Sequence, residues 1–274
     1  MTIHHYTSVE ALRCIIKSRK LRFTRLDKFD DLLEGQIHAG IEFGAQFFGS
    51  CWVRNPDEDL VQWKIYGDSM KGVRISLPDD PFNQHILDGK YEVPGTAAHW
   101  EFDRVAAPFT LDEIIGDGYF LFPTVFVENA GSFLRDVTYV ADVGQAYRER
   151  ISAAEGTVTI NGGASDLAYI KWDRWAFQKE CRFVLQAFRG VPGGKKNERF
   201  GDEYLRMVRG GSIFKQGLGT EYLYLRLRDD AIRQLVVTLG PTASDGDKEG
   251  VRAFLAAHAP DVRVMESCFL GAVR

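Results

Sequence analysis

The chain has 274 residues, of which 45% are hydrophobic and 26% charged, and its formal net charge is −4. That is ample for a hydrophobic core in one large domain or two small ones, and the acidic balance makes no electrostatic case for nucleic acid beyond a local basic patch. Four widely spaced cysteines without a CxxC argue against a disulfide framework and a zinc site and read as buried free thiols, and with no 18-residue apolar run or basic-then-apolar leader the expectation is a cytoplasmic protein that leaves membranes alone.

In chain order, Ile3 to Tyr6 is short and β-leaning, and Thr7 with Glu10 makes a capping box that starts a helix at once. Leu12, Ile15 and Ile16 follow at helical spacing, with Val9 on the same side. A strand thus ends in His5-Tyr6-Thr7 beside a helix N-terminus with free N–H groups. Of the adjacent His4 and His5, strand alternation turns only one inward. Lys20 to Thr24 alternates as a strand, Arg25 to Gly35 reads as a folded loop, and 35–45 as a helix. Gln46 to Val53 is a buried aromatic strand. Asn55-Pro56-Asp57-Glu58 starts a helix, with Asn as cap and Pro at the first position. Leu60, Trp63, Ile65 and Tyr66 run along it; Trp63 and Tyr66, three apart, share a face. Val73 to Leu77 alternates as a strand, and 78–118 is broken by Pro and Gly.

Tyr119 to Val127 is an apolar run that Pro123 confines to an edge or a bulge. Val137 to Val143 reads as a strand, Gln145 to Ala154 as a helix, and Asp166 to Gln178 as a helix anchored by Leu167, Ile170, Trp175 and Phe177. That helix leads directly into a strand, Glu180 to Phe188. Arg189 to Arg199 is a glycine-rich basic loop without a P-loop pattern. A helix at 203–209 and a strand from Tyr222 to Leu227 follow. The tail reads as a β-α-β unit: strand Leu235 to Leu239, a Gly240-Pro241 turn, helix 247–258, strand Val262 to Met265.

No GxGxxG follows a strand, no HExxH or GxSxG occurs, and the six histidines are not at metal-ligand spacing, so hydride transfer, zinc hydrolysis and α/β-hydrolase chemistry lose support. What remains is His5 with Thr7, the pair Trp63 and Tyr66, and Glu180. The glutamate opens an otherwise apolar strand beside Lys179 and Arg182, which equally suits an ion-paired structural carboxylate.

His5-Tyr6-Thr7-Ser8 with Leu12 and Ile15-Ile16, Ser50-Cys51-Trp52, Trp63-x-x-Tyr66 and Lys71-Gly72-Val73 together resemble a widespread bacterial family of uncharacterised cytoplasmic proteins. Its members open with His-Tyr-Thr-Ser and carry a Phe-Asn-Asp-Pro-Phe-Glu-like loop. Phe29 to Glu34 matches that loop except for Asp30 in place of Asn and Leu32 in place of Pro. Val137-x-Tyr139, Lys179 to Arg182 and Leu239-Gly240-Pro241 also fit. That family is more distantly similar to the ADP-ribosyltransferase superfamily. The resemblance implies an α+β fold: a mixed, largely antiparallel split β-sheet core with flanking helices over 1–220, and the β-α-β extension over 221–274, in a single domain of 1–274. It implies NAD as substrate and a protein or nucleic-acid acceptor, as in a toxin or an anti-phage effector. His5 would hold a ribose, and Tyr6 stands where glycine is usual. Tyr66 or Trp63 would stack on nicotinamide, and Glu180 would be the catalytic carboxylate. Tyr6 and Thr7 would complete the strand-end contact, while Arg22 or Arg25 suits the pyrophosphate. Breaking the nicotinamide–ribose bond passes through an oxocarbenium-like state, which a carboxylate stabilises. Two other expectations stand beside this one: a non-catalytic binding module on the same fold, and a metal-dependent nucleic-acid-processing enzyme using Asp30, Asp31 and Glu34.

Overall fold

The computed structural model describes residues 1–123, 133–154 and 157–273. The fold is mixed α+β, built on a largely antiparallel sheet with 11 strands among the described residues. They are β1 (Thr2–Thr7), β2 (Lys20–Arg25), β3 (Phe47–Val53), β4 (Val73–Pro78), β5 (Ile115–Gly116) and β6 (Tyr119–Phe122). Then come β7 (Leu134–Asp136), β8 (Glu180–Arg189), β9 (Tyr222–Arg226), β10 (Val236–Leu239) and β11 (Arg263–Glu266). The main path runs β11-β10-β4-β1-β3-β8-β6-β5, with β7 on β8 and β2 joining β3 to β9.

The sheet is splayed at its middle. β1 pairs with β4 along its whole length, from Thr2 opposite Pro78 to Thr7 opposite Val73, yet meets β3 only at His4 opposite Val53. β3 instead pairs fully with β8, from Glu180 opposite Val53 to Gln186 opposite Phe47, and touches β2 at Thr24–Gly49 and Arg25–Phe48. From this pair toward His5 and Cys51 the backbones of β1 and β3 part, and a side chain crosses the gap: His5 Nδ1 donates to the Cys51 carbonyl at 2.8 Å.

Helix α1 (Val9–Ser18) buries Leu12, Ile15 and Ile16 on the sheet, the stripe that its spacing demands. Its cap is Ser8, whose hydroxyl accepts from the Ala11 N–H at 3.1 Å, so the start lies one residue later than the Thr7–Glu10 box implies. At α2 (Leu60–Ile65) the start lies four residues later than Asn55 implies. Its cap is Asp59, accepting from Val61 at 2.7 Å and Gln62 at 3.1 Å, while Asn55 to Glu58 stay extended or turned.

Two expected helices do not form. Residues 37–42 make a small ladder, Ile37–His38 on Ile41–Glu42, turned by Ala39 and Gly40 at φ 51° and 74°, and only a 3-10 turn (Phe43–Ala45) follows. Isoleucine at both ends and two left-handed residues between favour a hairpin over a helix. Residues 166–178 are split into 3-10 segments, Ala164–Tyr169 and Asp173–Gln178, by a strand, Ile170–Trp172, that pairs in parallel with Thr138–Val140. The anchors at 167, 170, 175 and 177 fall on one side of a helix, but the pairing of Ile170–Trp172 overrides that pattern, and Phe177 ends up exposed. Lys179, at φ 47° and ψ 47°, then swings the chain into β8.

Helix α3 (Val143–Arg150) begins earlier than expected and stops at Arg150, because Ile151–Ala154 pairs with Thr157–Ile160. Residues 85–107, broken in the sequence reading, form a long hairpin, His85–Glu92 with His99–Ala107. Of the run 119–127, β6 ends at Phe122; 124–127 lie outside the described residues. Helix α4 (Phe200–Arg209) and helix α5 (Asp245–His258) match expectation closely. β10, α5 and β11 form the β-α-β unit, with β10 and β11 parallel and β10 antiparallel to β4, so the tail extends the same sheet. Of the four cysteines only Cys181 is buried; Cys14 and Cys268 are exposed and Cys51 is half-buried, a correction to the expectation of buried thiols. No helix among the described residues is long and apolar enough to cross a membrane.

Two close approaches matter for the site. Gly35, at φ 65°, lies against Gly44: a Cβ on Gly44 would sit 2.4 Å from the Gly35 carbonyl oxygen. That contact holds the loop that carries Glu34. Gly44→Ala is therefore expected to cost about 1–3 kcal/mol by overpacking, read as a lower urea midpoint at unchanged slope. The second is a clasp. The Glu58 carboxylate accepts from Trp63 Nε1 at 2.8 Å, from Ser267 Oγ and from the Cys268 N–H at 2.9 Å, tying the end of the described chain to the start of α2.

Candidate functional site

The gap between β1 and β3 opens into a cleft of about 760 Å³. This lies within the roughly 300–1,000 Å³ of small-molecule sites. One wall is the end of β1 and the first turns of α1. The other is β2, β3 and Tyr224 of β9, and Tyr66, Lys171, Gln178 and Glu180 line it as well.

His5, Tyr6, Thr7, Arg22, Tyr66 and Glu180 all contribute to this lining. A residue from the first strand, one beside the second helix and one from a strand 175 positions later are thus brought together. Because a carbonyl only accepts, the Cys51 contact fixes the proton of His5 on Nδ1 and leaves Nε2 as an acceptor. Burial, with the Arg22 charge behind it and against the pull of that hydrogen bond, lowers the His5 pKa and keeps the ring neutral. Its neighbour His4 faces a different set. Its Nδ1 accepts from Arg74 at 3.0 Å and lies 2.7 Å from Ser76 Oγ, and burial, then Arg74, lowers its pKa to about 4.

Glu180 sits at the cleft's inner end in a four-membered ion network. Arg182 Nε donates to Glu180 Oε1 and Arg182 Nη2 to Oε2 at 3.2 Å; Lys171 Nζ donates to Oε2 at 2.9 Å. The other side of Arg182 forks onto Glu34, with Nη2 to Oε1 at 2.9 Å, and Lys171 reaches the same Glu34 oxygen at 3.2 Å. Two acids and two bases balance inside the protein, with Arg182 and Glu34 fully buried. Burial alone would raise the Glu180 pKa, but the Arg182 guanidinium and then Lys171 hold it well below the usual carboxylate range. Lys171 and Arg182 are pulled the other way, burial lowering and the two glutamates raising them. The Cys51 thiol beside Glu180 is pushed well up, by burial first and by the carboxylate next, which disfavours its thiolate.

A hydrogen-bond chain runs outward from this network. Lys171 Nζ also donates to Gln178 Oε1 at 2.7 Å, and Gln178 Nε2 donates to the Tyr66 hydroxyl. Gln62 Nε2 fixes the Gln178 carbonyl at 3.3 Å, and the Tyr139 hydroxyl accepts from the Glu180 N–H at 2.9 Å. Tyr66 is thereby held half-buried in the cleft wall, its hydroxyl pKa pushed to about 12 by burial.

Three expected site residues have other work. Trp63 is wholly buried, its indole donating to Glu58, and stands edge-on to Tyr6 with ring centres 5.0 Å apart, so no ligand reaches it. The Tyr6 ring packs on that indole and its hydroxyl accepts from the Asp59 N–H at 2.9 Å, so Tyr6 anchors α2. Arg25 is spent on Asp27, at 2.7 and 3.0 Å, and on the carbonyls of Leu218 and Thr220, away from the cleft. The acids 30, 31 and 34 do not form a metal centre: Asp30 is exposed, Asp31 Oδ1 accepts from the Leu33 N–H at 2.9 Å, and Glu34 is claimed by Arg182 and Lys171. No group of three or more His, Cys, Asp or Glu among the described residues is placed to hold a metal.

The sequence reading missed Lys171, Gln178 and Glu34 as partners of Glu180. Lys171 carried a signal, a lone cation between Ile170 and Trp172 in an apolar stretch. Searches for kinship leave the site to its own geometry: no family model, curated protein or solved structure matches the chain.

Proposed function

We propose that the cleft binds NAD and that the protein cleaves its nicotinamide–ribose bond, passing ADP-ribose to a macromolecular acceptor or to water. The observation that carries this reading is the shared lining of one cleft by His5, Tyr66 and Glu180 where the sheet splays. The split sheet and the position of Glu180 at the start of a late strand are what an ADP-ribosyltransferase-like fold would need. His5 Nε2 accepts a ribose hydroxyl, the Tyr66 face holds the leaving ring, and Arg22 at the cleft edge takes a phosphate. The ionised Glu180 carboxylate stabilises the positive charge that develops at the anomeric carbon as the C–N bond breaks.

A second reading, a binding module without turnover, is favoured by one observation: both oxygens of Glu180 already accept from Arg182 and Lys171. Each cation withdraws charge from the carboxylate that the transition state would use.

Incubation of the purified chain with NAD labelled in the nicotinamide ring tests both. Released nicotinamide is expected for the transferase or hydrolase, and NAD at about 100 times its Kd should stabilise the fold by about 2.7 kcal/mol. Stabilisation with no release would leave the binding module. Neither stabilisation nor release would end the NAD reading. Tyr66→Leu is expected to weaken NAD about 2- to 12-fold, the worth of one aromatic stacking contact, measured by calorimetric titration.

A further inference from the structure

We propose that the outward face of β2 and β9, at the mouth of the cleft, is a docking surface for a single-stranded nucleic acid. This deepens the reading above by naming the class of acceptor, and rests on it to that extent.

The two strands pair antiparallel, with Tyr222 opposite Thr24, Tyr224 opposite Arg22 and Arg226 opposite Lys20. Leu21, Phe23, Leu223 and Leu225 point into the core, so strand alternation turns the named six outward. Those outward positions hold cations, tyrosines and a threonine and no acid, in a chain whose net charge is −4. Three cations on six outward positions, with no acid among the six, complement a polyanion. Lys20 and Arg22 have no salt bridge among the described residues; Arg226 leans on Asp229 at 3.7 Å.

The tyrosines specify the ligand further. Tyr222 and Tyr224 are 39% and 55% exposed, the second more open than any tyrosine in a packed core. Arg22 lies over the Tyr222 ring, its guanidinium carbon 4.9 Å from the centroid. Neighbouring outward residues of a strand stand about 6.8 Å apart, twice the roughly 3.4 Å step of stacked bases. Bases spread over this face must therefore be unstacked, which a single strand allows and a duplex does not. Arg22, Lys20, Thr24 and Tyr224 also line the cleft. A strand lying across the face would present a base or sugar to the cleft where Glu180 sits.

The measurement is fluorescence anisotropy of the full chain with labelled oligonucleotides of about 12 nucleotides, within the site sizes of such surfaces. RNA and DNA are compared as single strands and duplexes, and no NAD is added, so failure here and failure of the NAD reading are separate results. Single-strand binding is expected, at least tenfold tighter than duplex. Tyr224→Ala should weaken it roughly 5- to 150-fold, the loss of one stacked base. Lys20→Ala should reduce the salt slope by about 0.7, the release of one counterion from a single strand. Lys90→Ala, on the distant hairpin, should change neither. A preference for RNA or for DNA would identify the strand. Duplex binding as tight as single-strand binding, single-strand binding indifferent to Tyr224→Ala, or no binding at low salt would each overturn the proposal.

Discussion

Arg182→Met is expected to destabilise the protein by about 3–5 kcal/mol, a large share of a typical 5–15 kcal/mol total. The guanidinium is the hinge of the four-charge network, bonded to both Glu34 and Glu180 and to the Ala168 carbonyl at 3.0 Å. Removing it leaves two buried carboxylates sharing Lys171. Urea unfolding followed by far-ultraviolet circular dichroism measures the loss. A change under about 1 kcal/mol would mean that the pair contributes little, as exposed pairs do. Arg182→Met combined with Glu34→Gln should recover part of the loss, since one unpaired charge goes with it. The network also sets an acid limit. The Glu180 pKa is depressed in the folded state, so the unfolded chain takes up the proton first as pH falls. Its stabilisation is complete above the ordinary glutamate value, near 4.5, and is lost progressively below it.

Glu180→Gln is expected to lower nicotinamide release about 100- to 1000-fold, the usual effect of losing a preorganised group at a developing charge. The same change unbalances the network, so rates are compared per folded molecule. Glu34→Gln supplies the contrast: it breaks the network from the side away from the cleft. Comparable losses of stability with release kept within tenfold in Glu34→Gln would separate the chemistry from the fold. Equal loss of release in both variants would mean that Glu180 acts only through packing.

Strand alternation made most of the sheet legible. β3, β8 and the β10-α5-β11 tail lie within one or two residues of their expected bounds, β3 and β8 as nearly continuous buried runs. Helices were read less well wherever aromatics were dense. Residues 166–178 carry enough Leu, Ile, Trp and Phe to mimic a stripe, but backbone pairing with Thr138–Val140 takes precedence over the local pattern. Helix starts slipped because several capping residues compete at each, Thr7 with Ser8 and Asn55 with Asp59, and only packing of the first turn decides. In the site, Glu180 stood out as an acid in an apolar strand. Its partners did not: Glu34 is 146 positions away by number, in a loop of several acids, and no local rule says which acid a buried arginine will choose. Trp63 and Tyr66 share a helix face in sequence, yet one was drawn inside by Glu58 and Tyr6 and the other left at the cleft.

The Glu58 clasp orders events during synthesis. Glu58 leaves the ribosome early, but its partner Ser267 is 209 residues further on. Folding of a chain can start while its translation continues. Here the Tyr6 anchor on α2 can form early, but the second fastening, at Ser267, waits until almost the whole chain has emerged. A chain cut short before Ser267 would keep most of the sheet and the Tyr6 anchor and lack only this latch, so the start of α2 is secured in two stages.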